Sequence, residues 1–201
     1  MFRKGHKQNS SLNKRLTMNE DTYREKLKIQ LKEAYGRVVY TYTSHLKFMN
    51  MLDKKHHRLK YAQILLSAIS STGFFVTIIF DKIILAFVSG IVSLILLCLN
   101  LYYKDFNLSE DIKQHRMTSD KLWLIREKYI SLLTDINVKN IEDIVIQRDN
   151  LQQETGDIYS TSPKTNSKSY KEAQKALKSE KEQFFTSEEL NKMLPEHLRN
   201  K

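Results

Sequence analysis

Two stretches without a charged side chain, residues 61–80 and 83–103, are separated only by Asp81-Lys82. A helix rises 1.5 Å per residue, so about 20 residues cross a hydrocarbon core of about 30 Å. The first stretch holds ten Ile, Leu, Val or Phe, diluted by Gln63, Ser67, Ser70, Ser71, Thr72, Gly73 and Thr77. In the second, residues 83–101 hold thirteen such residues in nineteen. Each large apolar residue favours insertion by roughly 0.3–0.6 kcal/mol. Both read as membrane-spanning helices, over 61–80 and 83–101, within a hairpin over 61–103. A two-residue connection makes them antiparallel. Buried helices of a soluble core are the competing reading, and charge-free runs of this length are rare there.

The charge is as unevenly spread as the hydropathy. Residues 1–60 hold 15 Lys or Arg against 5 Asp or Glu, whereas residues 104–201 hold 17 of each. The net charge of +10 therefore lies entirely before the first apolar stretch. Lys54, Lys55, Arg58 and Lys60 crowd its entrance, and Lys104 follows the second stretch. Basic flanks stay on the cytoplasmic side and attract anionic lipid headgroups. These five residues are therefore lipid-headgroup candidates, the bilayer is an expected partner, and both termini are expected in the cytoplasm. A basic segment also suits nucleic acid, but the flanking role accounts for the same charge, and no nucleic-acid partner is expected. Residues 1–17 are basic, rich in Ser and Asn and without apolar period. They read as a disordered tail and not as a signal peptide, since no apolar run follows the positive start.

Outside the spans the periodicity is helical. Over 18–60 the apolar residues Leu31, Tyr35, Val38, Tyr42, Met49, Leu52 and Leu59 recur at four and three, with His45 and His56 in the missing places. That is a heptad seam on one cytoplasmic helix. Thr17-Met-Asn-Glu20 has the spacing of a capping box that would start it. Residues 104–159 mirror this arm. Leu108, Ile112, His115, Ser119, Leu122, Arg126, Tyr129, Leu133 and Ile136 share one stripe, and Asn107-Leu-Ser-Glu110 is a second capping box. The pattern breaks at Asn137–Asn140 and resumes as a helix over 141–159. Residues 160–168 have the composition of a linker. Short helices are expected over 169–201, opening at Ser169-Tyr-Lys-Glu172 and Thr186-Ser-Glu-Glu189. The fold class is all-α: a two-span transmembrane helical hairpin whose long helices extend into a cytoplasmic helical bundle.

No catalytic motif stands out. There is no phosphate-binding Gly loop, nucleophile elbow or His-Glu-x-x-His. The chain is expected not to be an enzyme and to use no cofactor and no metal. His56, His57 and His115 read as interfacial or seam histidines and not as a metal site. The single cysteine, Cys98, reads as a small buried apolar residue, and Trp123 as part of the cytoplasmic core. The informative residues lie in the spans. Gln63, Ser67, Ser70 and Thr77 share one face of the first, and Ser89, Ser93 and Asn100 one face of the second, with Gly90 four residues from Ala86. Such residues permit close helix packing with bonded hydroxyls. The sharper reading is that they line a water-filled path, and on the spans alone packing is the stronger of the two. Two helices enclose no pore alone, so pore lining requires a homo-oligomer.

The order of these features resembles the SLATT family of bacterial two-helix membrane effectors. The residues that carry the resemblance are Ala34–Thr43 (AYGRVVYTYT), Arg58–Ser67 (RLKYAQILLS), Leu99–Phe106 (LNLYYKDF) and His115-Arg116. Leu122–Tyr129 (LWLIREKY), Leu132–Asp135, Ser169–Leu177 (SYKEAQKAL) and Leu194–Leu198 (LPEHL) follow in order. Together they span roughly residues 19–200. The resemblance implies an effector of a bacterial antiphage or conflict system, seated in the inner membrane. It implies a partner that synthesises or senses a nucleotide second messenger and triggers bilayer disruption, as a pore. No catalytic residue carries over. A membrane-anchored interaction scaffold without pore activity remains the alternative.

Overall fold

The computed structural model describes residues 3–80 and 83–199, with side chains at 20–73, 75, 76, 79, 83–103 and 106–199. The described chain is helical, joined by short turns. Helix α1 (Arg3–Phe80) runs 78 residues, about 117 Å at 1.5 Å per residue. The chain's two prolines, Pro163 and Pro195, both lie after it, so nothing in it removes a backbone donor. For that reason α1 does not start at Thr17: it begins at Arg3, inside the stretch read as a disordered tail. Next come α2 (Ile83–Asp105), α3 (Leu108–Thr134), a 3-10 turn (Asp135–Asn137), α4 (Ile141–Thr161), α5 (Ser167–Lys178), α6 (Ser187–Met193) and a final 3-10 turn (Glu196–Leu198).

A single antiparallel register runs along α1. Arg24 donates to the carbonyls of Ile136 and Lys139. Further on, His45 meets His115, Lys55 meets Tyr102, Gln63 meets Asn100 and Ser70 meets Ser93. As α1 advances, its partner retreats nearly residue for residue, from α3 into α2. The break at Phe106-Asn107 therefore does not reset the pairing. Asn107 caps α3 by accepting from the Glu110 backbone at 3.2 Å, with Glu110 and Asp111 in the first turn where the helix dipole favours them.

The core sits between the arms. Leu27, Leu31, Ala34 and Val38 of α1 pack on Leu122, Ile125, Tyr129 and Leu132 of α3, closed by Ile136 and by Ile144 and Leu151 of α4. Leu31, Val38, Leu122, Tyr129 and Ile136 lie on the heptad stripes expected from the sequence, and Leu27, Ala34, Ile125 and Leu132 widen them by one neighbouring position per turn. Trp123 is a correction: it is 44% exposed. It follows Leu122 by one residue, so a 100° step turns it off the buried stripe. Helix α5 buries Ala173, Ala176 and Leu177 against α1. Its capping box is Asn166 with Ser169, three residues before the expected one, because Asn is as good a cap as Ser and the loop after Pro163 delivers it first. The box at Thr186 and Glu189 opens α6 as expected. Between α5 and α6, Lys181 and Gln183 hold positive φ, which costs non-glycine residues roughly 1–2 kcal/mol each. Two bonds to α1 offset this, Lys47 to Glu182 at 2.7 Å and Gln183 to Thr43 at 3.1 Å.

Among the described residues, one stretch is long and apolar enough to cross a membrane. It starts at Ile83, its most apolar window has a mean hydropathy of 2.6, and none of that window is buried. The charge-free end of α1 lies against it and also turns large apolar residues outward, including Ile64, Leu65, Phe75 and Ile79.

Candidate functional site

The polar residues of the apolar segments face each other across α1 and α2. Gln63 Nε2 donates to Asn100 Oδ1 at 2.7 Å. One helical step deeper, the Ser70 and Ser93 hydroxyls share a hydrogen bond of 2.8 Å. Ser93 also lies 2.9 Å from the Ser89 carbonyl, on its own helix. Deeper again, Gly73 meets Ser89: a Cβ built on Gly73 would stand 2.2 Å from Ser89 Oγ. Gln63, Ser70 and Gly73 continue the α1 heptad seam, so a spacing of seven and three puts them on one line. The result is a polar ladder with apolar flanks. In such surroundings each rung satisfies groups that are costly to leave unpaired.

The other candidates stand apart from this ladder. Ser67 is exposed, and Gly90 is exposed with no heavy atom within 4 Å of a built Cβ. The Thr77 side chain lies outside the described residues, as do Asp81, Lys82 and the Lys104 side chain. Cys98 is a correction: it is exposed on α2, because its position lies on the opposite side of the helix from Ser89, Ser93 and Asn100. Gly73 lies on the heptad seam that runs into the first apolar stretch, and its contact with Ser89 emerges only from the register.

An aromatic collar closes the ladder at its arm end. Lys55 Nζ donates to the Tyr102 hydroxyl at 2.6 Å and lies 5.1 Å from the centre of that ring. Tyr103 donates to the His56 carbonyl at 3.2 Å, and Phe106 stacks on Tyr102. Above the collar, Lys54 and Arg58 line an open cleft that Lys60 does not reach.

Further along the arm, His45 and His115 are both buried, 3% and 2% exposed, with Nδ1 atoms 2.8 Å apart. Phe48 sets its edge on His115. Burial, followed by the neighbouring His115, lowers His45 to about 4. Burial also lowers His115, while Asp111 pulls the other way. Two neutral rings in different tautomers can make this bond, and two imidazolium ions cannot. Among the described residues, no group of three His, Cys, Asp or Glu gathers as metal ligands.

Residues 27–189 match the family described as SMODS and SLOG-associating 2TM effector domain family 4. The chain belongs to this family. The match covers the core between the arms, the whole polar ladder, the histidine pair and α5. The SLATT resemblance drawn from the sequence is thereby confirmed, with the membrane-effector class that the family's description carries. No curated protein and no solved structure matches the chain.

Proposed function

We propose that this SLATT-family chain is a membrane effector whose two apolar segments cross the bilayer as a hairpin. It assembles into a homo-oligomer, opens a pore when a nucleotide-signalling partner triggers it, and needs no catalytic group. The observation that carries this reading is the division of the apolar segments: polar groups bond inward along the ladder, and large apolar side chains point outward unburied. Outward apolar faces suit lipid and neighbouring copies. Inward polar rungs, once exchanged between copies, can line a water path. The unbroken α1 links the cytoplasmic core to the ladder, so a shift of the core moves the rungs. The protein sits in the bacterial inner membrane with both termini in the cytoplasm, as the basic flank Lys54–Lys60 favours.

The test is membrane potential in bacteria that express the chain, read by a voltage-sensitive dye with and without the candidate synthase or sensor. Triggered depolarisation, lost on substitution within the ladder in protein that still inserts, supports the pore. Inserted, triggered protein that never depolarises the cell leaves the scaffold role instead.

A further inference from the structure

Arg58 stands three residues before the charge-free stretch and faces α5 across an open cleft of about 500 Å³. Lys47, Asn50, Lys54, Lys55 and Arg58 form the α1 wall, and Lys168 with Glu172 the α5 wall. Positions 47, 50, 54 and 58 recur at three and four, which is one helix face. Two of the cations are occupied. Lys47 pairs with Glu182 at 2.7 Å, and Lys55 is taken up by Tyr102. Lys54, Arg58 and Lys168 have no carboxylate within ion-pair distance among the described residues. Three unpaired cations from two helices thus converge with a single carboxylate beside them. Like charges repel, so the closed arrangement of α1 and α5 favours an anion between them.

We propose that this cleft binds the phosphate of an anionic phospholipid headgroup, held between Lys54 and Arg58 on α1 and Lys168 on α5. A guanidinium fork with flanking ammonium groups suits phosphate oxygens. The cleft is open and lies at the membrane end of the arm, where an anionic leaflet supplies that phosphate at high local concentration. The bound headgroup ties the C-terminal segment to the part of α1 that enters the bilayer. Helix α5 also holds on through the small apolar face of Ala173, Ala176 and Leu177 and through Tyr170, which stacks on Tyr40 of α1. Lys168 contributes across 110 residues of sequence, so the basic flank alone does not reveal it.

The inference rests on the membrane placement proposed above, so insertion is measured separately. The full chain is placed in nanodiscs of phosphatidylcholine alone or mixed with phosphatidylglycerol, and hydrogen exchange of residues 167–178 is followed. The wild type exchanges about fivefold more slowly with phosphatidylglycerol present, the size expected for a basic residue at an anionic surface. Lys168→Gln and Arg58→Gln lose that slowing, while Lys171→Gln, on α5 but outside the cleft, keeps it. Equal exchange of the wild type in both lipids overturns the proposal, and so does full slowing in Lys168→Gln. Inorganic pyrophosphate added to phosphatidylcholine discs is expected to leave exchange unchanged. If it reproduces the slowing there, the site takes soluble phosphate and the lipid assignment fails. Failure to enter either disc overturns the membrane placement itself, and this proposal with it.

Discussion

The Nδ1 atoms of His45 and His115 meet at 2.8 Å in the buried interface of α1 and α3. Both rings are held neutral, chiefly by burial, with Asp111 alone favouring charge on His115. Unfolded, each histidine titrates near 6.5. Folded, His45 titrates near 4. Between these values the unfolded chain binds more protons than the folded one, so stability falls as pH falls. The arm interface is expected to lose about 2 kcal/mol between pH 7 and pH 4.5 through His45. Chemical denaturation of the detergent-solubilised chain at the two pH values measures this, and a His45→Leu/His115→Leu variant should lose most of the dependence.

The same pair predicts a pattern of non-additivity. Replacing His115 alone by Leu leaves His45 Nδ1 buried without a partner, at a cost of about 1–3 kcal/mol. Replacing both rings by Leu removes both polar groups and costs less than either single change. A double-mutant cycle in unfolding free energy reads this out. Additive losses would mean that the two rings do not depend on each other.

The rung between Gln63 and Asn100 should couple in the same manner. Polar pairs between helices in apolar surroundings contribute about 0.6 kcal/mol on average, reaching about 1.7 kcal/mol. Asn100→Leu is expected to destabilise the contact of α1 with α2 by about 1 kcal/mol, and Gln63→Leu in its presence to add little. Steric trapping of the refolded protein in bicelles provides the free energies.

Two glycines should behave in opposite ways. Gly73→Val forces Ser89 aside, because even a Cβ would stand 2.2 Å from its hydroxyl oxygen. Gly90→Ala meets open space and should leave stability unchanged or slightly raised, since Ala favours helix over Gly by about 1 kcal/mol. Thermal unfolding in detergent distinguishes them: a lower midpoint for Gly73→Val and none for Gly90→Ala. The Gly90→Trp variant then reports on contacts between copies, because a Cβ built at that position meets nothing within 4 Å among the described residues.

Leu122 marks the core that joins the arms. It is fully buried among residues of α1, α3 and α4. Leu122→Ala should cost about 2–5 kcal/mol, whereas Trp123→Ala, at an exposed neighbour, should cost far less. Urea unfolding of both variants checks the contrast.

Periodicity along the chain made much of this legible. A heptad stripe states which face of a helix is buried, so Leu31, Val38, Leu122 and Tyr129 could be assigned to the core before any partner was known. Capping chemistry is equally local, which is why Asn107 and Thr186 were found at their helix starts. The start of α5 was misplaced because Asn166 and Ser169 are both good caps, and only packing selects between them. The beginning of α1 was misplaced because a weak local signal at Thr17 does not stop a helix that contains no proline.

What the stripe leaves open is the residue across from it. Gln63, Ser70, Ser89, Ser93 and Asn100 form two polar faces whose residue types suit packing together first and lining water second. Their pairing within one chain follows from the antiparallel register of α1 with α2 and α3. That same register brings His45 to His115 and Gly73 to Ser89, and the fold of α5 onto α1 brings Lys168 to Arg58. Residue spacing along a helix is a property of its own backbone and survives in the sequence. Register between helices is a sum of many small contacts over residues far apart in the chain, and it exists only once they are packed.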